Sequence, residues 1–173
     1  MAKLLLSDAD DPKDIRLKDG YVLFWGGYPS NWYASKFVVD GVSYNCMEQF
    51  MMAEKARAFD DQETLKKILK ARYPKAQKEL GREVRGYDDV IWTSSRVEIV
   101  LRGTVEKYRQ NEQILQRLLS TGDARFVECS PYDTIWGIGL PMTSKHATNP
   151  AKWRGQNLLG ECITRARTIL RAG

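Results

Sequence analysis

Between Asp89 and Gln110, the apolar residues Val97, Leu101, Val105 and Tyr108 recur three to four positions apart, the period of one face of an α-helix. An amphipathic helix of that extent must bury its stripe against other elements, so the chain has to build a helical core around it. Ile114, Leu115, Leu118 and Leu119 predict another helix, ended by Thr121-Gly122, and Leu158, Leu159, Cys162, Ile163, Ala166, Ile169 and Leu170 predict an amphipathic C-terminal one. Upstream, Asn45 followed by Glu48 resembles a capping box that starts a helix running to about Phe59. Asp60 and Glu63 repeat that spacing before Leu65, Ile68 and Leu69, and Pro74 suits the first turn of a short helix stopping at Gly81. Strands are fewer. Tyr21–Trp25, closed by Gly26-Gly27, and Arg125–Cys129 have strand composition. Asp40-Gly41, between Lys36–Val39 and Val42–Tyr44, predicts a hairpin, because a type I′ turn needs positive φ at both central residues. The expectation is a mainly α chain with a small antiparallel β-sheet. It forms one domain over 20–173, behind a loose acid- and Lys-rich lead-in over 1–19.

Composition narrows the chemistry. With 43% hydrophobic and 28% charged residues in 173, the chain has the makings of an ordinary folded domain rather than a disordered one. Lys and Arg exceed Asp and Glu by 27 to 22, and the basic residues are interleaved with acids instead of forming one stripe. That modest surplus suits a phosphorylated small molecule or a passing contact with nucleic acid. No run approaches the ~20 apolar residues of a membrane span. Leu4-Leu5-Leu6 gives way at once to Ser7-Asp8-Ala9-Asp10-Asp11, which excludes a signal-peptide core. Cys46, Cys129 and Cys162 are odd in number and far apart, so they offer neither a disulfide framework nor metal spacing, and a cytoplasmic setting is expected. The single histidine, His146, sits in a polar segment and reads as a loop residue. Carboxylates, lysines and aromatics are left to do any chemistry, with no metal and no cofactor.

Two segments concentrate such groups. Phe24–Tyr33 carries Trp25, Tyr28, Trp32 and Tyr33 broken by Gly and Pro, which is either core plugging or a set of faces on which a base can stack. Val127–Leu140 combines a strand, a Ser-Pro turn, Asp133, Trp136 and two glycines. Gly137-x-Gly139 is no dinucleotide fingerprint, because Leu140-Pro141 replaces the helix start. Glu48 is open to two readings. It is either the capping partner of Asn45 or a functional acid, since Glu48, Met51, Met52, Lys55 and Phe59 share a helical face. Trp92 likewise reads as a core ring or a stacking platform.

Taken in order, these blocks resemble the NADAR family, also called YbiA-like proteins. Pro29-Ser30-Asn31-Trp32-Tyr33 is similar to its early block. Asp40-Gly41-x-x-Tyr44-x-x-x-Glu48-Gln49-Phe50-Met51-x-Ala53-x-Lys55-Ala56 is similar to the central one, and Leu80-Gly81-Arg82 follows. Trp92, Arg96, Lys107-Tyr108, Gln110-Asn111 and Thr121-Gly122 fall in the family's order. Ser130-Pro131-x-Asp133-x-x-Trp136-Gly137-Ile138-Gly139 and Asn157-x-Leu159-Gly160 complete the resemblance, which covers about residues 24 to 167. Cys46 stands where Thr is common, and Gln49 where His is common, so the expected mechanism uses no histidine.

The resemblance implies an N-glycosidase. Its expected substrate is a phosphoribosylamino-pyrimidine intermediate of riboflavin synthesis, cleaved at the C1′–N bond. Two alternatives stand beside it: hydrolysis of ADP-ribosyl-guanine in modified nucleic acid, and an ADP-ribose- or nucleotide-binding module without turnover. The implied catalytic residues are Glu48, Lys55 and Asp133. Glu48 would stabilise the oxocarbenium-like transition state and activate water. Asp133 would orient ribose hydroxyls or assist proton transfer. Lys55 would act either as an electrostatic partner or as a Schiff-base amine. Asn31 and Arg82 would hold polar or phosphate groups, and Trp92 and Trp136 would stack against the base or the ribose.

Overall fold

A computed structural model describes residues 2–5 and 13–173. The acidic run 7–11, read above as closing off a signal-peptide core, lies outside the described residues. Within them the elements are β1 (Ile15–Lys18), β2 (Tyr21–Phe24), β3 (Phe37–Val39), β4 (Val42–Tyr44), α1 (Met47–Ala58), α2 (Gln62–Lys70), α3 (Pro74–Arg82), α4 (Asp89–Arg109), α5 (Glu112–Ser120), β5 (Arg125–Glu128) and α6 (Leu158–Ala172), with a 3₁₀ turn at Pro150–Lys152. Helix dominates, as the periodicity predicts. The small sheet becomes two: β1-β2-β5 and β3-β4. The first is mixed, because β2 runs antiparallel to β1 but parallel to β5.

The fold divides into two compact units, Met1–Ser30 with Glu112–Gly173, and Asn31–Asn111. In the first, β1 corrects the loose lead-in expected before residue 20. Asp19 and Gly20 take φ values of 50° and 77° and turn the chain so that Ile15 pairs with Phe24. Leu23 and Val127 on the strands, with Cys129 just after β5, pack with Ile138, Leu140 and Ala147, and α6 covers β5. Asn157, buried and at φ 55°, completes the edge of β5: its Nδ2 donates to Phe126 O and its Oδ1 accepts from Glu128 N.

In the second unit, Asp40 and Gly41 have φ values of 49° and 77°, the turn that their composition predicts. Phe37, Tyr44 and Phe50 stack ring to ring at 5.1 to 5.9 Å, tying the hairpin to α1. α4 crosses α1 at Gly103, where a Cβ would stand 2.4 Å from Phe50 Cδ1. The hydrogen of Gly103 is therefore what lets the two helices approach. Helix starts follow side-chain chemistry, shifted from the expected residue in two places. Asp61, not Asp60, caps α2 by accepting from Thr64 N. The N-cap position of α1 is Cys46, whose side chain makes no capping bond, and Asn45 lies outside the helix. Asp88 caps α4 by accepting from Ile91 N. Among the described residues no helix is long and apolar enough to cross a membrane.

Candidate active site

The shift of the α1 start by one residue changes what Glu48 does. Asn45 and Glu48 form no capping box. Gln49 Oε1 instead accepts from Asn45 N at 2.8 Å, taking the reciprocal part that the box assigns to Glu48. Glu48 is then free to point elsewhere, and it is only 4% exposed. Its Oε2 accepts from the indole Nε1 of Trp32 at 3.2 Å, and its backbone N–H donates to Asn31 O at 2.9 Å. A buried carboxylate in the first turn of a helix sits in the favourable field of the unpaired N–H groups there. Trp32 itself is half exposed, so its ring is a wall with an outer face, while Tyr28 from the same aromatic run is fully buried.

Asn31 is buried too, and among the described residues no donor reaches its Oδ1. A buried amide oxygen left in that state costs about 1–3 kcal/mol, and a hydroxyl donor supplied by a ligand would recover it. Asn31 and Glu48 are thus joined through the backbone.

Lys55 is two turns along α1 from Glu48. Its Nζ donates to Gly81 O at 2.8 Å and lies 4.4 Å over the Tyr87 ring. Burial first, and the charge of Arg82 second, hold its pKa below the ordinary lysine value, so its neutral form is more accessible. Arg82, at the end of α3, is exposed. Trp92 is buried in the first turns of α4.

Three groups in this unit stand out only in three dimensions. Lys107 on α4 is 1% exposed, and burial pushes its pKa down to about 7. Its ammonium lies 5.8 Å from the Tyr33 ring centre and 5.4 Å from that of Tyr108. Cys46, also buried, has its thiol pKa raised, by burial first and with a further push from Glu48. Arg96, one turn after Trp92 on the same face of α4, is 7% exposed, and its Nε meets no acceptor among the described residues. A buried guanidinium in that condition favours an anionic ligand. The one sequence signal for Lys107 and Arg96 is their place in the family pattern. In composition each is one more basic residue on a helix.

Asp133 and Trp136 belong to the first unit. Asp133 Oδ1 accepts from Ile135 N and Trp136 N, both at 2.8 Å, so this oxygen shapes the turn while Oδ2 takes neither bond. The turn is held from behind: Gln156 N donates to Thr134 O, and Asn157 N to Gly137 O. Asp133 and Trp136 are both partly exposed. His146 lies in a turn, as expected of a loop residue. Among the described residues there is no group of three or more side chains able to hold a metal ion.

A model of the NADAR domain matches residues 23–171. The chain is 38% identical over 164 residues to N-glycosidase R617 of Acanthamoeba polyphaga mimivirus, covering 86% of this chain and 95% of that protein. It is 32% identical over 113 residues to riboflavin biosynthesis protein VVA0006 of Vibrio vulnificus, covering 65% of this chain and 30% of that longer protein. In fold it is similar to the NMR structure of the Escherichia coli protein YbiA, with a TM-score of 0.73 at 23% identity over 91% of this chain and 88% of that one.

Proposed function

The chain belongs to the NADAR domain family, and from that membership together with the buried acid at the start of α1 we propose that it is an N-glycosidase cleaving a C1′–N bond of a phosphoribosylamino-pyrimidine of riboflavin synthesis. The observation that carries the reading is Glu48, buried at 4% exposure and gripped by an indole N–H, with a buried acceptor on Asn31 next to it. Scission of the bond sends its electron pair to the departing nitrogen and leaves positive charge shared by C1′ and the ring oxygen. A carboxylate fixed beside that carbon stabilises the charge only as it develops. Glu48 also takes a proton from the water whose oxygen bonds to C1′.

Other residues take narrower parts in this proposal. Asn31 Oδ1 accepts a ribose hydroxyl. Arg82 and Arg96 hold the phosphate, Arg96 through its buried fork, and Trp92 flanks the pentose or its base. Lys55, with its lowered pKa, is the amine for a covalent route. Its neutral Nζ attacks C1′ as the base leaves with the electron pair of the broken C1′–N bond. The glycosylamine so formed opens by breaking its bond from C1′ to the ring oxygen, which takes a proton, and water then hydrolyses the resulting imine to return the free amine and sugar.

The relative named for riboflavin biosynthesis supports the pyrimidine substrate over ADP-ribosylated guanine. Mass spectrometry decides between them. Incubation with a phosphoribosylamino-pyrimidine is expected to yield free pyrimidine and ribose phosphate, while DNA carrying ADP-ribosyl-guanine stays intact. Release of ADP-ribose with no pyrimidine product reverses the assignment. Tight calorimetric binding with no product from either substrate overturns the enzyme reading.

A further inference from the structure

A cleft of about 450 Å³ opens on the second unit where the β3–β4 hairpin, the approach to α1 and the end of α2 meet, and Glu48 does not line it. Lys36, Lys70 and Arg72 do line it, and no Asp or Glu is among the lining residues. All three cations are exposed, and none forms an ion pair with a described residue. On the same unit Arg102 is paired with Asp40, Lys67 with Glu63, and Arg85 with Asp61 and Glu63, while the exposed Lys66, Lys75 and Arg82 form no ion pair with a described residue but do not line the cleft.

The floor of the cleft points the same way. Its acceptors are turned inward and engaged. Gln49 Nε2 donates to Ile68 O, Leu69 O and Ala71 O, covering the carbonyl end of α2 and its partial negative charge. Gln77 Nε2 donates to Asn45 Oδ1 and Ala71 O, and Asn45 Nδ2 donates to Arg72 O at 3.0 Å. Gln49 Oε1 is taken by Asn45 N. Gln49 and Gln77 are both buried, so this amide network is rigid and fully used. The lining side chains thus include three cations and the hydroxyls of Ser35 and Ser43, over a floor whose amide oxygens on Asn45 and Gln49 are already bonded.

We propose that this cleft is a second anion site, taking a phosphate group, distinct from the chemistry at Glu48 and independent of whether Glu48 is catalytic. A phosphate could come from a nucleic-acid backbone or from a free phosphorylated small molecule. The probes that separate these are a short single-stranded DNA and inorganic pyrophosphate, titrated calorimetrically into wild type and into a Lys36→Gln/Lys70→Gln/Arg72→Gln variant. Neutralising three phosphate contacts lowers the slope of log K against log salt for a single strand by about 2, at roughly 0.7 per contact. Loss of that slope with weaker DNA binding identifies the backbone as the source. At least tenfold loss of pyrophosphate affinity with DNA binding unchanged identifies a free phosphate. Equal affinities of both proteins for both probes overturn the proposal. Lys36 and Lys70 give a reading that needs no variant: either probe, when bound, should slow their labelling by an amine-reactive reagent at least several-fold relative to Lys75. Uniform labelling with and without the probes also overturns it.

Discussion

Replacing Glu48 with Gln isolates the charge on which the proposed mechanism depends. The amide keeps the shape and leaves an oxygen to accept from Trp32 Nε1, which lies 3.2 Å from Glu48 Oε2. The backbone bond from residue 48 to Asn31 O is untouched. What disappears is one negative charge facing a carbon that turns positive in the transition state. At about 4 Å and an effective dielectric of about 20, that interaction is worth about 4 kcal/mol, or about three decades in kcat. The ground state carries no such charge, so KM should stay within about threefold. Loss of an acid from the first turn of α1 costs about 0.3–1 kcal/mol and lowers Tm by no more than about 4 °C. The assay is release of free base from an N-ribosyl substrate, followed by mass spectrometry, with melting curves run on the same preparations. A Glu48→Gln protein that melts normally and turns over within tenfold of wild type would falsify the assignment.

Lys55 can be examined through its covalent route: borohydride added during turnover should leave a sugar-sized mass on Lys55, and Lys55→Met should abolish it. Unmodified Lys55 under those conditions means direct attack by water. Lys107 titrates near 7 in the fold against 10.5 unperturbed. The unfolded chain therefore holds the extra proton between those values, and this group's contribution to stability rises as pH climbs from about 7 to about 10.5 and is least favourable below 7. Lys107→Met should accordingly gain on wild type in urea midpoint at pH 6 and lose that advantage near pH 10, and parallel curves would count against the burial argument. Gly103→Ala forces a methyl to within 2.4 Å of the Phe50 ring and 3.0 Å of Met47 Cε. It should cost about 1–3 kcal/mol, visible as a Tm several degrees lower, and an unchanged Tm would mean that α1 and α4 are less tightly packed than described.

Local chemistry made most elements readable in advance. The α4 stripe, the Pro74 start of α3 and the Asp40-Gly41 turn depend on residues within a few positions of one another, and each appears where the spacing puts it. The same turn rule applies to Asp19-Gly20, which has the same φ pattern. The strand before that turn is not legible in the sequence, because β1 buries only Ile15 and shows no alternation. At the candidate site, the resemblance points to Glu48, Asn31 and Lys55, of which Glu48 and Asn31 share a backbone hydrogen bond while Lys55 is bonded to Gly81 O. The reading of Glu48 as a capping partner failed because Gln49, one residue along, fills that role.

From sequence alone come the helical periods, the turns that need positive φ and the family pattern, because each is carried by neighbouring residues or by order along the chain. Only the folded chain decided that β2 pairs in parallel with β5, about a hundred residues away. The same holds for Trp32 as the donor to Glu48, and for the burial of Lys107 and Arg96 while Lys36, Lys70 and Arg72 ring an open cleft. The physical reason is that a basic residue reads the same in any helix or loop. Its charge acquires a consequence only when distant segments remove water from around it, or leave it facing water with no acid nearby.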